Sequence, residues 1–167
     1  MSQRIAVCPG SFDPITIGHL DIITRASLMF DKVIIVVMKN VNKAGCFTEE
    51  ERKELIIKSV EGIKNVEVDI YGGLLADYAK KVNACAIIKG LRAMSDFEYE
   101  FQMALTNKKL NPDVETVFLT TSAENMYLSS SMVKQIAIMG GDISDFVPKA
   151  IHEDIVRRLA NKKESKG

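Results

Sequence analysis

Short apolar segments alternate with segments of helical spacing along this 167-residue chain. Residues 33–38 (VIIVVM) are apolar at every position, which is typical of a parallel strand that is covered on both faces. Strands that alternate with helices predict an α/β domain, and right-handed crossovers then predict a Rossmann-like, doubly wound, five-stranded parallel sheet. We predict the five strands at residues 4–8, 33–38, 66–71, 84–88 and 114–120.

The helices between these strands carry their own start signals. Thr48 with Glu51, and Ser95 with Glu98, have the spacing of a capping box, in which side chain and backbone bond reciprocally. We expect one domain over residues 1–160 and a flexible polar tail over residues 161–167. The helices are predicted at residues 18–30, from Thr48 onward, at 74–82, from 95 to about 110, after Ser129 and from Pro148.

The charge balance limits the class of partner. The chain has 22 lysine and arginine residues against 22 aspartate and glutamate residues. A nucleic-acid scaffold usually needs an excess of basic residues to bind the phosphate backbone, so we expect no nucleic-acid partner. A small basic pocket for a phosphorylated metabolite remains compatible with this balance.

The cysteines and the N-terminus indicate a cellular compartment. Cys8 and Cys85 lie in apolar runs and are expected to be small core residues, while Cys46 lies outside them. No CxxC or Cys/His cluster predicts a metal site. The chain runs from Met1 almost directly into a predicted strand, without a signal peptide, and its apolar runs are too short to span a bilayer. We therefore expect a cytoplasmic protein without a membrane partner.

The common phosphate-binding motifs are missing from the sequence. There is no GxxxxGK[ST] loop and no GxGxxG after the first strand, which disfavours a P-loop kinase and a dinucleotide dehydrogenase. There is also no Gly-x-Ser-x-Gly nucleophile elbow. A nucleotide site in this chain must therefore be built from other loops, at the carboxyl ends of the strands.

The loop after the first strand, residues 9–19 (PGSFDPITIGH), has features of an anion site. It enters a helix with Gly18 and His19 in the first turn, where unpaired N–H groups attract negative charge. Gly18 would let a phosphate approach the backbone, and an imidazole nitrogen of His19 can donate to a phosphate oxygen. The alternative is that His19 only caps or packs the helix.

Three further loops supply cations and hydroxyl groups. Residues 89–92 (KGLR) place two cations around a glycine after the fourth strand, which suits a phosphate clamp, although a solvated turn is the alternative. Lys43 follows the second strand, where an isolated lysine is usually a surface charge. Residues 129–131 are three serines at a predicted helix start, which can cap the helix or bind phosphate oxygens.

Together these segments resemble the phosphopantetheine adenylyltransferases, a family of the nucleotidyltransferase superfamily that acts in coenzyme A synthesis. The matching segments are PGSFDPITIGHLDIITRA, FTEEER, KGLRAMSDFEYE and LSSSMVK, and residues 16–19 (TIGH) match the (T/H)xGH motif of the family. The resemblance runs from about residue 4 to residue 159. Position 11 is serine where many members have threonine, and position 89 is lysine where arginine is common, which keeps the charge but loses the bidentate geometry.

The resemblance implies a reaction and the residues that perform it. The substrate phosphate would attack the α-phosphorus of ATP in line, with Mg²⁺ arriving on ATP, and the product coenzyme A would be a feedback inhibitor of a homo-oligomer, a hexamer in this family. His19, Lys43 and Arg92 would be catalytic, and Ser11, Lys43, Leu75 and Lys89 would contact phosphopantetheine. The implied ATP contacts are Ser11, Phe12, His19, Gly90, Leu91, Arg92, Glu100, Asn125, Met126, Tyr127, Leu128, Ser129, Ser130 and Ser131.

Two other functions fit the same pattern less well. A cytidylyltransferase or a nicotinamide-mononucleotide adenylyltransferase of the same superfamily is one, but the LSSS and KGLR segments favour the pantetheine enzyme. A non-catalytic adenine-nucleotide sensor on the same fold is the other. The presence of His19, Lys43 and Arg92 together disfavours the sensor, because binding alone does not need all three.

Overall fold

The five predicted strands form one sheet, and every neighbouring pair in it is parallel. In the computed structural model, which describes residues 2–42 and 44–164, the strand order is β3-β2-β1-β4-β5. The strands are β1 (Ile5–Gly10), β2 (Lys32–Met38), β3 (Val66–Tyr71), β4 (Ala86–Leu91) and β5 (Glu115–Thr120). The predicted α/β class with a doubly wound parallel sheet is confirmed.

Within the described ranges, six helices cover the two faces of this sheet. They are α1 (Ile17–Met29), α2 (Glu49–Ser59), α3 (Leu75–Lys81), α4 (Met94–Leu110), α5 (Ser130–Ile138) and α6 (His152–Glu164). Short 3-10 turns at Ala123–Asn125 and Lys149–Ile151 precede α5 and α6. None of the helices in the described part of the chain combines the length and the hydropathy that a bilayer crossing requires.

The core consists of two layers that alternate along the strands. Val33, Ile35 and Val37 pack on one face with apolar residues of α1, α2, α5 and α6, while Ile34 and Val36 pack on the other face with α3. This period of two is what a strand imposes on its side chains. Because β2 is buried on both faces, its uninterrupted apolar run is explained.

The strand order creates a crevice beside β1. The chain winds outward from β1 through β2 to β3 and then returns to the other side of β1 at β4. Loops at the carboxyl ends of β1 and β4 therefore diverge, which is where ligands bind in open parallel sheets.

Some predicted boundaries were wrong. Residues 89–91 were predicted as part of a turn but are the last residues of β4, since Lys89 and Gly90 pair with Phe118 and Leu119 of β5. Gly90 is required by packing there, because a Cβ atom would lie 3.1 Å from the side chain of Ile22 in α1. The Thr48–Glu51 capping box is confirmed, with both reciprocal bonds present.

Three other predictions need correction or an amended boundary. Helix α4 begins at Met94 after Ala93, without a side-chain cap, so Ser95 lies inside the first turn and is not the cap. Cys8 is buried as predicted, whereas Cys85 is exposed, because it lies just before β4 at the edge of the core. Helix α6 continues to Glu164, four residues into the predicted tail, and residues 165–167 lie outside the described part.

Candidate active site

A cleft of about 420 Å³ opens at the carboxyl ends of β1 and β4. Its walls come from the loop after β1, the first turns of α1 and α4, the end of β4 and the start of α5. Three segments that are far apart in sequence therefore meet around one space. The sequence-predicted residues that line it are Ser11, Phe12, His19, Lys89, Gly90, Arg92, Glu100, Asn125, Leu128, Ser129, Ser130 and Ser131.

The loop after β1 is held in an unusual conformation at Phe12. Phe12 has a φ of +47°, in the left-handed region that side chains other than glycine rarely adopt. Its ring is buried, contacts His19 edge-on with the ring centroids 5.1 Å apart, and lies where a Cβ on Gly10 would approach it to 3.0 Å. The ring thus packs against the imidazole of His19.

The sequence left two interpretations of His19 open, a helix cap or a group that faces a ligand site. In the structure His19 caps α1 and also lines the cleft. Its Nδ1 accepts a hydrogen bond from the backbone N–H of Thr16 at 3.0 Å, and the Thr16 hydroxyl accepts one from the backbone N–H of His19 at 3.3 Å. These two bonds form a capping box at the start of α1, with histidine in the position usually taken by Glu or Gln.

The same contacts determine the charge and the tautomer of His19. Burial, together with the nearby cations Arg92 and Lys89, lowers the pKa of this imidazole to about 4. The ring is therefore neutral at pH 7. Because Nδ1 accepts the Thr16 N–H, the one ring proton is on Nε2. His19 is thus prepared as a neutral hydrogen-bond donor rather than as a base or a cation.

Two cations of the cleft are paired with carboxylates. The Lys89 ammonium lies 3.4 Å from a carboxylate oxygen of Glu100, and the Arg92 guanidinium lies 3.3 Å from Asp96. Arg92 also donates to the backbone carbonyl of Leu128 at 3.0 Å, which links the end of β4 to the segment before α5. These ion pairs neutralise the cleft, and an anionic ligand would have to compete with the carboxylates for the same cations.

Two of the three serines at the start of α5 have structural bonds. Ser129 is the N-cap, since its hydroxyl accepts from the backbone N–H of Met132 at 3.1 Å, and the Ser130 hydroxyl donates to the carbonyl of Pro14 at 2.7 Å. Ser131 is exposed at the cleft wall. The first-turn N–H groups of a helix have no intrahelical acceptor, so they and Ser131 are the donors that α5 can offer to an anion.

Several predicted site residues lie outside the cleft walls. Leu75 packs beside the core layer on the α3 face, and Leu91 ends β4. Met126 and Tyr127 are about half exposed, which differs from the core packing that the sequence suggests for such a pair. Lys43 lies outside the described residues. Their predicted ligand contacts stay predictions.

The cleft also contains residues that the sequence did not single out. Thr16 was named only as part of the TIGH motif, although its spacing of three residues from His19 is that of a capping box and could have predicted its bond. Asp96 follows Arg92 by one helical turn, a spacing that favours an ion pair. Cys8 lines the floor, where burial raises the pKa of its thiol to about 12, so it is neutral. Thr121 had no signal in the sequence.

The cleft has no ligand set for a metal ion of its own. Among residues 2–42 and 44–164, no three or more His, Cys, Asp or Glu side chains are grouped so that they could hold one. The two carboxylates that line the cleft, Asp96 and Glu100, are engaged by Arg92 and Lys89.

The chain is similar in sequence to a well-defined group of enzymes. The family model described as cytidylyltransferase-like matches residues 7–136. The phosphopantetheine adenylyltransferase of Clostridium tetani (strain Massachusetts / E88) is 60% identical over 160 residues, which cover 96% of this chain and 100% of that protein. The enzyme of the same name from Clostridium botulinum (strain Alaska E43 / Type E3) is 63% identical over 156 residues, covering 93% and 98%.

The similarity extends to a third relative and to solved structures. The phosphopantetheine adenylyltransferase of Caldanaerobacter subterraneus subsp. tengcongensis is 58% identical over 157 residues, covering 94% of this chain and 98% of that protein. A putative nicotinate-nucleotide adenylyltransferase from Vibrio parahaemolyticus superposes with a TM-score of 0.72 at 17% identity, covering 93% of this chain and 99% of the other. At that identity the superposition shows a common fold only.

Proposed function

Because the chain belongs to the phosphopantetheine adenylyltransferase family, we propose that it transfers the adenylyl group of ATP to 4′-phosphopantetheine, giving dephospho-coenzyme A and pyrophosphate in coenzyme A biosynthesis. The observation that carries this proposal is the 60% identity to the C. tetani enzyme over that protein's whole length. The cleft supports it, since one space is lined by a neutral histidine donor, two cations and the starts of three helices.

The proposed chemistry is a direct in-line attack of the substrate phosphate on the α-phosphorus of ATP. A phosphate monoester has a second pKa of about 6 and is mostly a dianion at neutral pH. It is therefore a nucleophile without a general base, and neutral His19 with its proton on Nε2 has the properties of a donor instead. The enzyme's contribution would be positioning and stabilisation of negative charge.

Each cleft residue has a proposed part in this reaction. His19 would donate a hydrogen bond to the α-phosphate as negative charge increases there. Arg92 would release Asp96 and bind phosphate oxygens in its place. Lys89 would exchange Glu100 for the phosphate of the second substrate in the same way. We propose that Lys43 assists in stabilising the transition state.

The remaining contacts follow from the family pattern. Ser11 would reach both substrates and Leu75 would contact phosphopantetheine. We propose that ATP is also held by the backbone of Phe12 and by Gly90, Leu91, Glu100, Asn125, Met126, Tyr127, Leu128, Ser129, Ser130 and Ser131.

Mg²⁺ is proposed to enter with ATP, bound to its phosphates. The support is that Asp96 and Glu100, the carboxylates of the cleft, are already paired with cations and form no cage. Mg²⁺ usually keeps several waters and binds through substrate phosphates in such sites, where it neutralises part of their charge. The steps assigned to His19, Lys89 and Arg92 do not depend on a protein ligand to the metal.

We propose that the protein is a homo-oligomer, a hexamer as in its family. The support is α4, which presents apolar side chains to solvent along its length in a single chain. A surface helix usually buries its apolar side, so α4 needs a partner. The exposed apolar residues of α4 are Phe97, Tyr99, Phe101, Met103, Leu105 and Leu110.

Regulation and location complete the proposal. Coenzyme A contains the phosphopantetheine and adenylyl parts of the product, so it would occupy the same cleft and inhibit by feedback. A cytoplasmic location, without nucleic-acid or membrane partners, is supported by the equal numbers of basic and acidic residues and by three free cysteines.

Acceptor specificity provides the test of the proposed function. The purified protein is incubated with ATP, Mg²⁺ and one acceptor at a time: 4′-phosphopantetheine, nicotinamide mononucleotide, or none. We expect pyrophosphate release only with phosphopantetheine, together with dephospho-coenzyme A detected by mass spectrometry. Release with nicotinamide mononucleotide would indicate the other adenylyltransferase activity. Binding of ATP without release under any condition would indicate a nucleotide sensor.

A further inference from the structure

Arg52 in the first turns of α2 is a buried cation that no step above uses. Only 6% of its side chain is exposed. Its guanidinium donates to the carbonyl of Ser11 at 2.8 Å and, through Nε, to the carbonyl of Phe47 at 3.1 Å, and it lies 3.4 Å from Glu49. Arg52 therefore connects the loop after β1 with the segment that leads from β2 into α2.

Asp13 connects the same two segments in the opposite direction. It is also buried, and its carboxylate accepts the backbone N–H groups of Cys46 and Phe47, both at 2.9 Å. Lys134 of α5 donates to the same carboxylate at 3.0 Å. The packing is tight, because a Cβ on Gly45 would lie 2.9 Å from the carbonyl oxygen of Phe47 and 3.2 Å from Asp13.

These bonds fix positions that matter to the cleft. Ser11, whose carbonyl Arg52 holds, lines the cleft, and Lys134 belongs to the helix that begins at the cleft with Ser130. Cys46 and Phe47 follow closely on position 43, where the proposed reaction needs a lysine. Burying an arginine and an aspartate is costly, and apolar side chains of the same volume often stabilise a fold as well or better. What Arg52 and Asp13 provide, and apolar side chains could not, is therefore a set of directional hydrogen bonds between the two segments.

We propose that Arg52 and Asp13 form an interloop brace that positions the ATP-side loop, residues 11–13, relative to the acceptor-side segment, residues 44–48. The proposal rests on the proposed function, in which Ser11 contacts both substrates and Lys43 assists in stabilising the transition state. The brace touches neither substrate. It acts through the backbone of Ser11, Cys46 and Phe47, and both residues of the brace are positioning residues.

The substitution Arg52→Lys tests the brace, because lysine keeps the charge but cannot reach two carbonyls with a rigid fork. Arg158→Lys is a matched control. Arg158 donates to the carbonyl of Cys46 at 3.4 Å and to Glu51 at 3.1 Å, and its guanidinium lies 5.8 Å from the ring centre of Phe47. It therefore supports the same acceptor-side segment, but from the outer side and without contact to Ser11.

Steady-state kinetics on folded protein give the first readout. A small misplacement of reacting groups can cost about 10²-fold in rate, so Arg52→Lys should lower kcat by roughly 10- to 100-fold while both KM values change by less than about threefold. Arg158→Lys should keep kcat within about twofold. Asp13→Asn is a second variant for the case that Arg52→Lys folds poorly. It retains one acceptor for the amides but loses the charge, and it should lower kcat by a similar factor.

Amide hydrogen exchange gives a second readout that needs no activity. The amides of Cys46 and Phe47 should exchange at least about tenfold faster in Arg52→Lys, with the amide of Val36 in β2 unchanged. An unchanged kcat in Arg52→Lys and Asp13→Asn, or equal losses in Arg158→Lys, would overturn the brace. A wild-type protein without pyrophosphate release would instead refute the proposed function, and unchanged exchange at Cys46 and Phe47 would then overturn the brace independently.

Discussion

Replacing His19 by alanine removes a helix cap and a proposed transition-state donor at the same time, and the two losses have separate magnitudes. The cap consists of the bond from the Thr16 N–H to Nδ1 at 3.0 Å and its reciprocal partner. Loss of a capping interaction costs about 1 kcal/mol, which lowers Tm by roughly 2–4 °C in a domain of this size. The donor is the Nε2 proton, which faces a cleft that can take the phosphates.

The kinetic effect of His19→Ala should be much larger than the stability effect. If the Nε2 proton binds the α-phosphate mainly as charge increases there, its loss costs transition-state binding and little ground-state binding. A lost donor at such a centre costs about 10²–10³ in turnover. We therefore expect kcat to fall by that factor, while both KM values change far less.

Two companion variants separate the roles. His19→Gln restores an acceptor for the Thr16 N–H, since Gln is a normal capping-box residue at this position, so its Tm should approach that of the wild type while kcat stays low. Thr16→Val removes the hydroxyl half of the cap and leaves the imidazole proton in place, so its Tm should fall with kcat reduced only a few-fold. Steady-state kinetics and thermal melts on the same preparations decide the matter: a destabilised but fully active His19→Ala enzyme would refute the catalytic role.

Three further predictions follow from the same contacts. The pKa of His19 is about 4 in the folded protein against 6.5 for the free side chain, so the unfolded chain binds more protons between these two pH values. The stability contributed by neutral His19 is therefore complete above pH 6.5 and is lost as the pH falls toward 4, by up to about 2 kcal/mol at pH 5. Urea unfolding at pH 5 and pH 7.5 should show this difference in the free energy of unfolding, and the difference should be smaller in His19→Gln. Lys89→Arg should keep activity, while Lys89→Ala should raise the KM for phosphopantetheine more than that for ATP, and equal increases would assign Lys89 to another role. Light scattering should give about 111 kDa for six 18.5 kDa chains, and Phe101→Glu should lower that mass, unlike Leu28→Glu at the exposed end of α1.

The sheet could be predicted from the sequence because apolar periodicity reports burial directly. Residues 33–38 were apolar throughout, and β2 is buried on both faces. The ends of the strands were less predictable, because pairing with a neighbour outweighs local preference. Pro9 and Gly10 read as a break, yet they continue β1 in register with Val36 and Val37 of β2.

The candidate cleft residues could be found as polar or glycine-rich segments after strands, but their bonding could not. The left-handed backbone of Phe12 depends on the space between Gly10 and His19, which only the folded loop defines. The ion pair between Lys89 and Glu100 joins β4 to α4 across eleven residues. Neither spacing nor composition encodes such a contact, because it depends on the angle at which the helix crosses the sheet.

The ion pairs of the cleft suggest why a site that is proposed to bind polyanions contains carboxylates. Lys89 and Arg92 both lower the pKa of the neutral His19, and without counter-charges these two cations would repel each other in the unliganded protein. Glu100 and Asp96 supply the counter-charges at 3.4 and 3.3 Å. Each carboxylate also offers its cation a weaker alternative to a phosphate dianion, because a phosphate carries more charge than a carboxylate. In the proposed reaction, a doubly charged phosphate would gain binding energy by replacing a carboxylate at its cation, whereas a singly charged group would gain little. The ion pairs would therefore favour binding of the ionised nucleophile that in-line attack requires.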